Sequence, residues 1–136
     1  MNQHQEEQRF VVEGVAHIDY QALQRLMAEP SNQTILIDVR EPEEYDESHI
    51  PGIPLIPMGD VIDYIDQFDK ARSYVLVCRS GRRSLEVAKF FRANGIEHVM
   101  NFDGGMLSWK GDVVTGLERI AKTGYAEELE RTSGGE

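Results

Sequence analysis

A single cysteine lies at the junction between an apolar run and a basic turn. Cys78, the only cysteine of the chain, follows the apolar residues 74–77 and precedes Arg79-Ser80-Gly81-Arg82-Arg83-Ser84. This pattern predicts a strand, a short loop that contains a glycine, and the beginning of a helix. Such a loop directs backbone N–H groups and the positive end of a helix dipole towards the space that it encloses. We therefore predict a nucleophilic thiolate beside a site that binds small anions.

The residues around this thiol favour its ionised form. A free cysteine has a pKa of roughly 8.5, and a helix N-terminus and nearby cations lower that value. Three arginines of the loop, Arg79, Arg82 and Arg83, are candidates for this effect and for charge-assisted hydrogen bonds to an anionic substrate. The whole loop from Arg79 through Ser84 is predicted to bind substrate. The alternatives are arginines that merely face solvent and a buried, inert cysteine.

The composition is that of one acidic globular domain. The chain has 136 residues, of which 40% are hydrophobic and 28% are charged, and its formal net charge is −10. This length suits a single core. The acidic excess disfavours broad electrostatic binding to nucleic acid. A basic loop on an acidic chain instead favours a small anion as the ligand.

The sequence offers no signal for a membrane, a secreted protein or a metal site. No run approaches the roughly 18 apolar residues of a membrane span, and the N-terminal residues lack the regions of a secretory signal. One cysteine cannot form an internal disulfide, so we expect a cytoplasmic protein whose thiol stays reduced. His4, His17 and His98 show no metal-ligand spacing with Cys78.

Short apolar runs alternate with segments of helical periodicity. Buried strands are predicted over residues 34–39, 74–77 and 98–102, with at best a short edge strand in the proline-rich residues 50–57. Helices are predicted over residues 19–27, 60–68 and 84–94, with short helical turns at 42–45 and after 105. This alternation predicts an α/β fold, in which a mostly parallel central sheet has helices on both faces. Cys78 then lies at the carboxyl edge of the sheet, where ligands bind in such folds.

Four motifs together resemble the single-domain rhodaneses. They are residues 37–45 (IDVREPEEY), 48–52 (SHIPG), 78–84 (CRSGRRS) and 102–109 (FDGGMLSW). Their order and spacing match the family over roughly residues 15–112. The sequence departs from the family pattern at Ser48, where a glycine is usual, and in a short, proline-rich segment after Gly52. Neither departure affects the cysteine loop.

The resemblance implies a sulfurtransferase that needs no metal or organic cofactor. A small anionic donor such as thiosulfate would give its outer sulfur to Cys78 and form a persulfide. Cyanide, a small thiol or the thiol of a partner protein would then remove that sulfur, in two half-reactions. Asp38, Arg40 and His49 are expected to support the structure around the site. Direct catalytic roles for these three residues are the alternative.

The chain divides into three segments on this interpretation. Residues 1–14 form a polar N-terminal segment, residues 15–112 a rhodanese-like domain, and residues 113–136 a C-terminal extension. Apolar residues of the extension follow a helical period that Gly116 and Gly124 weaken. We expect one or two short helices packed on the domain, followed by a frayed tail. A helix that binds a partner is the alternative.

Two other functions compete with sulfur transfer. Phosphatases and arsenate reductases also place a thiolate in an anion-binding loop, but they need an arginine at the sixth position after the cysteine. Ser84 occupies that position here, and Arg83 comes one residue early. The loop should therefore fit a sulfur atom better than a phosphate. The other alternative is a regulatory binding module or a persulfide carrier for a partner protein.

Overall fold

Five strands form one sheet in a computed structural model that describes residues 9–130. In chain order they are β1 (Arg9–Val12), β2 (Val15–Ile18), β3 (Ile35–Asp38), β4 (Tyr74–Val77) and β5 (Val99–Phe102). The order across the sheet is β1-β2-β5-β4-β3. All neighbours pair in parallel except β1 and β2, which are antiparallel. The three strands predicted from the sequence are confirmed to within one or two residues.

Helices pack on both faces of this sheet, as predicted. They are α1 (Tyr20–Ala28), α2 (Pro42–Glu47), α3 (Met58–Tyr64), α4 (Arg82–Ala93) and α5 (Ala126–Leu129). The predicted cap of α1 is present, because Asp19 Oδ1 accepts a hydrogen bond from the Ala22 N–H at 2.9 Å. In α2, Pro42 occupies the first turn, where its missing N–H costs nothing. None of the helices among residues 9–130 is long and apolar enough to cross a membrane.

The central strand β4 divides the core into two layers. Its residues are all buried, and alternate side chains enter opposite layers. Tyr74 and Leu76 pack with Phe91 of α4 on one face, whereas Val75 and Val77 pack with the layer that contains Leu23 of α1 on the other. Burial on both sides fixes the register of β4. It therefore also fixes the position of Cys78, the next residue along the chain.

The N-terminal segment contains a strand that the sequence analysis did not predict. Strands β1 and β2 form a hairpin, which continues the sheet beyond β5. Glu13 and Gly14 connect the two strands and have φ angles of 52° and 80°. Two successive positive φ angles are typical of the tight turns that suit twisted antiparallel strands. Residues 1–8 lie outside the described part, so the prediction for them is not addressed.

Of the one or two short helices expected in the C-terminal extension, the described residues contain one, the single turn α5, and residues 113–125 are not helical. The extension instead bonds to the domain. Val114 exchanges two backbone hydrogen bonds with His49, at 2.9 and 3.0 Å. Leu55 donates to the Arg119 carbonyl at 2.9 Å and accepts from the Ala121 N–H at 3.0 Å. These bonds replace the i→i−4 bonds of a helix. The predicted frayed tail lies beyond the described residues.

Candidate active site

The loop that holds Cys78 joins the carboxyl end of β4 to α4. Cys78 follows Val77 directly and is 0% exposed. A second turn, which follows β5, contacts this loop. The Met106 N–H donates to the Cys78 carbonyl at 2.9 Å, and the Leu107 N–H donates to the Arg79 carbonyl at 3.0 Å. Two neighbouring strands of the parallel sheet thus contribute adjacent loops to one site.

The sulfur atom lies among hydrogen-bond donors. The Gly81 N–H lies 3.0 Å from Cys78 Sγ, the Ser84 N–H lies 3.4 Å away, and the Ser84 hydroxyl lies 3.3 Å away. Gly81 has a φ of 95°, a left-handed conformation that glycine adopts without a Cβ clash. The turn at Gly81 brings the N-terminus of α4 to the sulfur. This arrangement stabilises negative charge on a sulfur atom.

A buried asparagine, which the sequence analysis missed, anchors this loop. Asn101 on β5 is 1% exposed, and its Oδ1 lies 2.5 Å from the Ser84 hydroxyl. Its Nδ2 donates to the Gly81 carbonyl at 2.9 Å. The available signal was a polar residue inside the otherwise apolar run of β5. That signal alone does not say which loop the side chain contacts.

Gly105 allows the two loops to approach each other. A Cβ atom at this position would lie 2.7 Å from the Arg79 carbonyl oxygen and closer still to that of Cys78. The residue also has a φ of 55°. Backbone atoms cannot move aside as a flexible side chain can. Any side chain at position 105 would therefore displace the cysteine loop.

The three arginines of the loop differ in their surroundings. Arg83 donates two hydrogen bonds of 2.8 Å to the carboxylate of Glu44, on α2. This hydrogen bonding lowers the pKa of Glu44 to about 2 and raises the pKa of Arg83. Arg79 and Arg82 are exposed, and within residues 9–130 their side chains make no hydrogen bond or ion pair. The loop therefore carries two exposed cations and one that is paired with Glu44.

Asp38 and Arg40 form a buried pair at the end of β3. Asp38 is 0% and Arg40 5% exposed. Arg40 Nε and Nη2 donate to the carboxylate at 3.0 and 2.9 Å, and Nη2 also donates to the Ser48 carbonyl at 2.8 Å. Paired donors and acceptors of this kind offset the cost of burying two charges. The pair ties the end of β3 to the loop after α2.

His49 links α2 to the C-terminal extension. It is fully buried and stacks on Tyr45 with ring centroids 3.6 Å apart. Its Nδ1 lies 2.8 Å from the Tyr45 carbonyl, and its Nε2 lies 2.8 Å from Glu118 Oε1. Both ring nitrogens therefore have partners, neither of which belongs to the cysteine loop. The structural role of His49 stays a prediction.

The family model for the rhodanese-like domain matches residues 19–112. The chain belongs to the rhodanese-like domain family. A solved structure, that of a rhodanese-like domain protein from Staphylococcus aureus, is 34% identical and has a TM-score of 0.67, over 73% of this chain and 96% of that one. The resemblance inferred from the four motifs is thereby confirmed.

Relatives of this rhodanese-like domain carry names from sulfur metabolism. "Putative sulfurtransferase YtwF" of Bacillus subtilis is 43% identical over 84 residues, which are 62% of this chain and 81% of the relative. A protein named "Sulfurtransferase" from Allochromatium vinosum is 30% identical over 95 residues, 70% of this chain and 88% of the relative. "Putative sulfur carrier protein YrkF" of Bacillus subtilis is 38% identical over 76 residues, but the match covers only 41% of that protein.

The predicted loop residues of the rhodanese-like domain lie together, whereas its cavity lies elsewhere. Within residues 9–130, no group of three or more His, Cys, Asp or Glu side chains is arranged to hold a metal ion. A cavity of about 570 Å³ lies at the opposite edge of the sheet, beside Gln33 and Thr34, which precede β3, and Ile35, its first residue. No residue of the cysteine loop lines it. The site therefore consists of the loop itself.

Proposed function

We propose that this protein is a sulfurtransferase that carries a sulfane sulfur as a Cys78 persulfide. The observation that carries the proposal is the contact of Cys78 Sγ with the Gly81 and Ser84 N–H groups, at 3.0 and 3.4 Å. Two backbone donors at a helix N-terminus favour the thiolate as the nucleophile. The names of the relatives support the same class of reaction.

The first half-reaction takes sulfur from the donor. The Cys78 thiolate attacks the outer sulfur of thiosulfate, and a new S–S bond forms. The S–S bond of thiosulfate breaks, and sulfite leaves with the electron pair of that bond. The enzyme then holds a persulfide with one negative charge on its outer sulfur. The loop N–H groups are the donors available to that charge.

The second half-reaction returns the enzyme to its starting state. Cyanide attacks the outer sulfur of the persulfide and leaves as thiocyanate, while the Cys78 thiolate recovers the electron pair of the broken S–S bond. A thiolate acceptor would take the sulfur in the same way. Because each half-reaction finishes before the next substrate binds, ping-pong kinetics are expected. The mechanism needs a reduced thiol, which suits a cytoplasmic location.

The three loop arginines have different roles towards the anionic donor. Arg79 and Arg82 are exposed and without side-chain partners in the described part of the chain, so they are free to attract thiosulfate and to release sulfite. Arg83 holds the loop in place through Glu44. Because Cys78 is buried, the donor must present a single sulfur atom to the loop. Thiosulfate and phosphate are both tetrahedral, but thiosulfate can present its outer sulfur alone, whereas a phosphatase loop must wrap the whole oxyanion.

The experiment that tests this proposal is an intact-mass measurement. The reduced protein is incubated with thiosulfate beside Cys78→Ser, and Ser31→Ala, which changes an exposed serine outside the cysteine loop, serves as the matched control. We expect a gain of about 32 Da, one sulfur atom, in the wild type and the control. Cyanide should remove it, and the Cys78→Ser variant should show no gain. An unchanged wild-type mass, with Cys78 still open to alkylation, would refute thiosulfate as the donor.

A persulfide carrier for a partner protein is the second candidate. The sulfur carrier name of one relative favours it. So does Leu107, which is 64% exposed although its N–H bonds to the loop residue Arg79. Leu107 thus places one exposed apolar side chain beside the reacting loop. Slow turnover with free cyanide combined with fast transfer to a protein thiol would favour the carrier.

A further inference from the structure

The Asn101 side chain has a defined orientation. The Gly81 carbonyl, 2.9 Å away, accepts hydrogen bonds only, so the Asn101 atom that faces it must be the Nδ2 donor. The opposite orientation would place two oxygen acceptors 2.9 Å apart in a buried place. Oδ1 therefore faces the Ser84 hydroxyl, 2.5 Å away.

Ser84 has one hydroxyl proton and two acceptors within reach. Asn101 Oδ1 lies at 2.5 Å and Cys78 Sγ at 3.3 Å. Since Oδ1 cannot donate, the short contact requires the hydroxyl proton to lie between the two oxygens. The hydroxyl then does not donate to the sulfur. Among residues 9–130, the donors that remain to the sulfur are the two backbone N–H groups of Gly81 and Ser84.

We propose that Asn101 is a positioning residue for sulfur transfer, which withholds the Ser84 hydroxyl proton from Cys78 and orients Gly81 towards the sulfur. A thiolate that accepts fewer hydrogen bonds is a stronger nucleophile, because nucleophilicity falls as the charge is stabilised. The two backbone donors still hold the charge in place. This role deepens the proposed function and rests on Cys78 as the nucleophile.

A double-mutant cycle of Ser84→Ala and Asn101→Ala tests this role through the thiol itself. Because Cys78 is the only cysteine, its alkylation by iodoacetamide can be followed by intact mass across a pH series. In the wild-type background, Ser84→Ala should shift the pH midpoint of alkylation by less than about 0.3 unit. In the Asn101→Ala background the freed hydroxyl donates to the sulfur, so the same substitution should raise the midpoint by about one unit, the size of one lost hydrogen bond to a charge.

Equal shifts in the two backgrounds would overturn the proposal, because a merely structural Asn101 predicts additive effects. The Ser84→Ala variant alone also tests the proposal. If it shifts the pH midpoint of alkylation by about one unit in the wild-type background, the hydroxyl already donates to the sulfur and the proposal is wrong. This single variant keeps the test valid if Asn101→Ala does not fold. Asn94→Ala is the matched control, because its Nδ2 donates to the Phe90 carbonyl at 2.9 Å on the far end of α4. Alkylation does not require sulfur transfer, so failure of the proposed function would appear separately, in the thiosulfate experiment.

Discussion

The carboxylate of Glu44 binds both terminal nitrogens of Arg83, each at 2.8 Å. This bidentate pair joins α2 to the first turn of α4, beside the cysteine loop. A guanidinium held in this way presents fewer donors to a substrate. The sequence predicts three equivalent arginines around the thiol, whereas their partners in the structure give them different roles.

The three arginines should therefore differ in their effect on donor binding. Arg79→Ala and Arg82→Ala should each raise the KM for thiosulfate about threefold to tenfold, because each removes an exposed cation that can bond to the anion. Arg83→Ala should change KM less and lower thermal stability more. Steady-state kinetics and thermal unfolding of the three variants measure both effects. A larger rise in KM for Arg83→Ala than for the other two would contradict this division.

The pair between Glu44 and Arg83 should stabilise the fold in a pH-dependent way. The pKa of Glu44 is about 2 in the folded chain, mainly through its hydrogen bonds from Arg83, against about 4.3 for an ordinary glutamate. A lowered folded-state pKa gives stability that is present above pH 4.3 and is lost as pH falls towards 2. Both side chains are partly exposed, so solvent screening limits the contribution to about 1 kcal/mol or less.

Urea unfolding of the wild type and Glu44→Gln at pH 7, 5 and 3 measures this contribution. The difference in the free energy of unfolding should be largest at pH 7 and 5 and smaller at pH 3. A difference that stays constant over this range would mean that the charge of Glu44 does not stabilise the fold.

Replacing Gly105 should disrupt the site through the backbone. In Gly105→Ala the new methyl group meets the carbonyl oxygens of Cys78 and Arg79. We expect a loss of about 2 kcal/mol or more in stability, together with loss of persulfide formation, because the loop must move. Gly59→Ala is the control, since a Cβ there meets no atom within 4 Å and its φ is not positive. Normal persulfide formation in Gly105→Ala would show that the loops tolerate separation.

His49 should matter for stability and not for the chemistry of the thiol. His49→Ala leaves the Tyr45 carbonyl and Glu118 without their imidazole partner and opens a cavity beside Tyr45. A loss of about 2–4 kcal/mol is expected. The pH profile of Cys78 alkylation in the folded variant should match the wild type, with the exposed His98→Ala as control. A shifted profile would restore a catalytic role for His49.

Local patterns were sufficient to predict the strand, loop and helix around Cys78. The apolar run of β4, the glycine of the loop and the helical period of α4 each depend on nearby residues. The partners of the loop could not be predicted in this way. Asn101 reaches Ser84 across 17 residues, and Glu44 reaches Arg83 across 39. Only the strand order, which no local pattern specifies, brings these pairs together.

In the C-terminal extension, a helical pattern covers residues that are not helical. Its apolar residues follow a helical period, yet residues 113–125 form no helix. Backbone bonds to His49 and Leu55 satisfy the same donors and acceptors that a helix would use. Tertiary contacts of this kind override a weak periodicity, especially where glycine lowers helix propensity.

The family match and the unit that folds do not have the same ends. Residues 19–112 define the match, but β1 and β2 lie before it and the strand-like partners of His49 and Leu55 lie after it. A fragment cut to the match would retain the complete thiol loop. It would also expose the backbone edge of β5, which invites aggregation. The family match is thus shorter than the stretch of chain whose backbone pairing completes the sheet and its border.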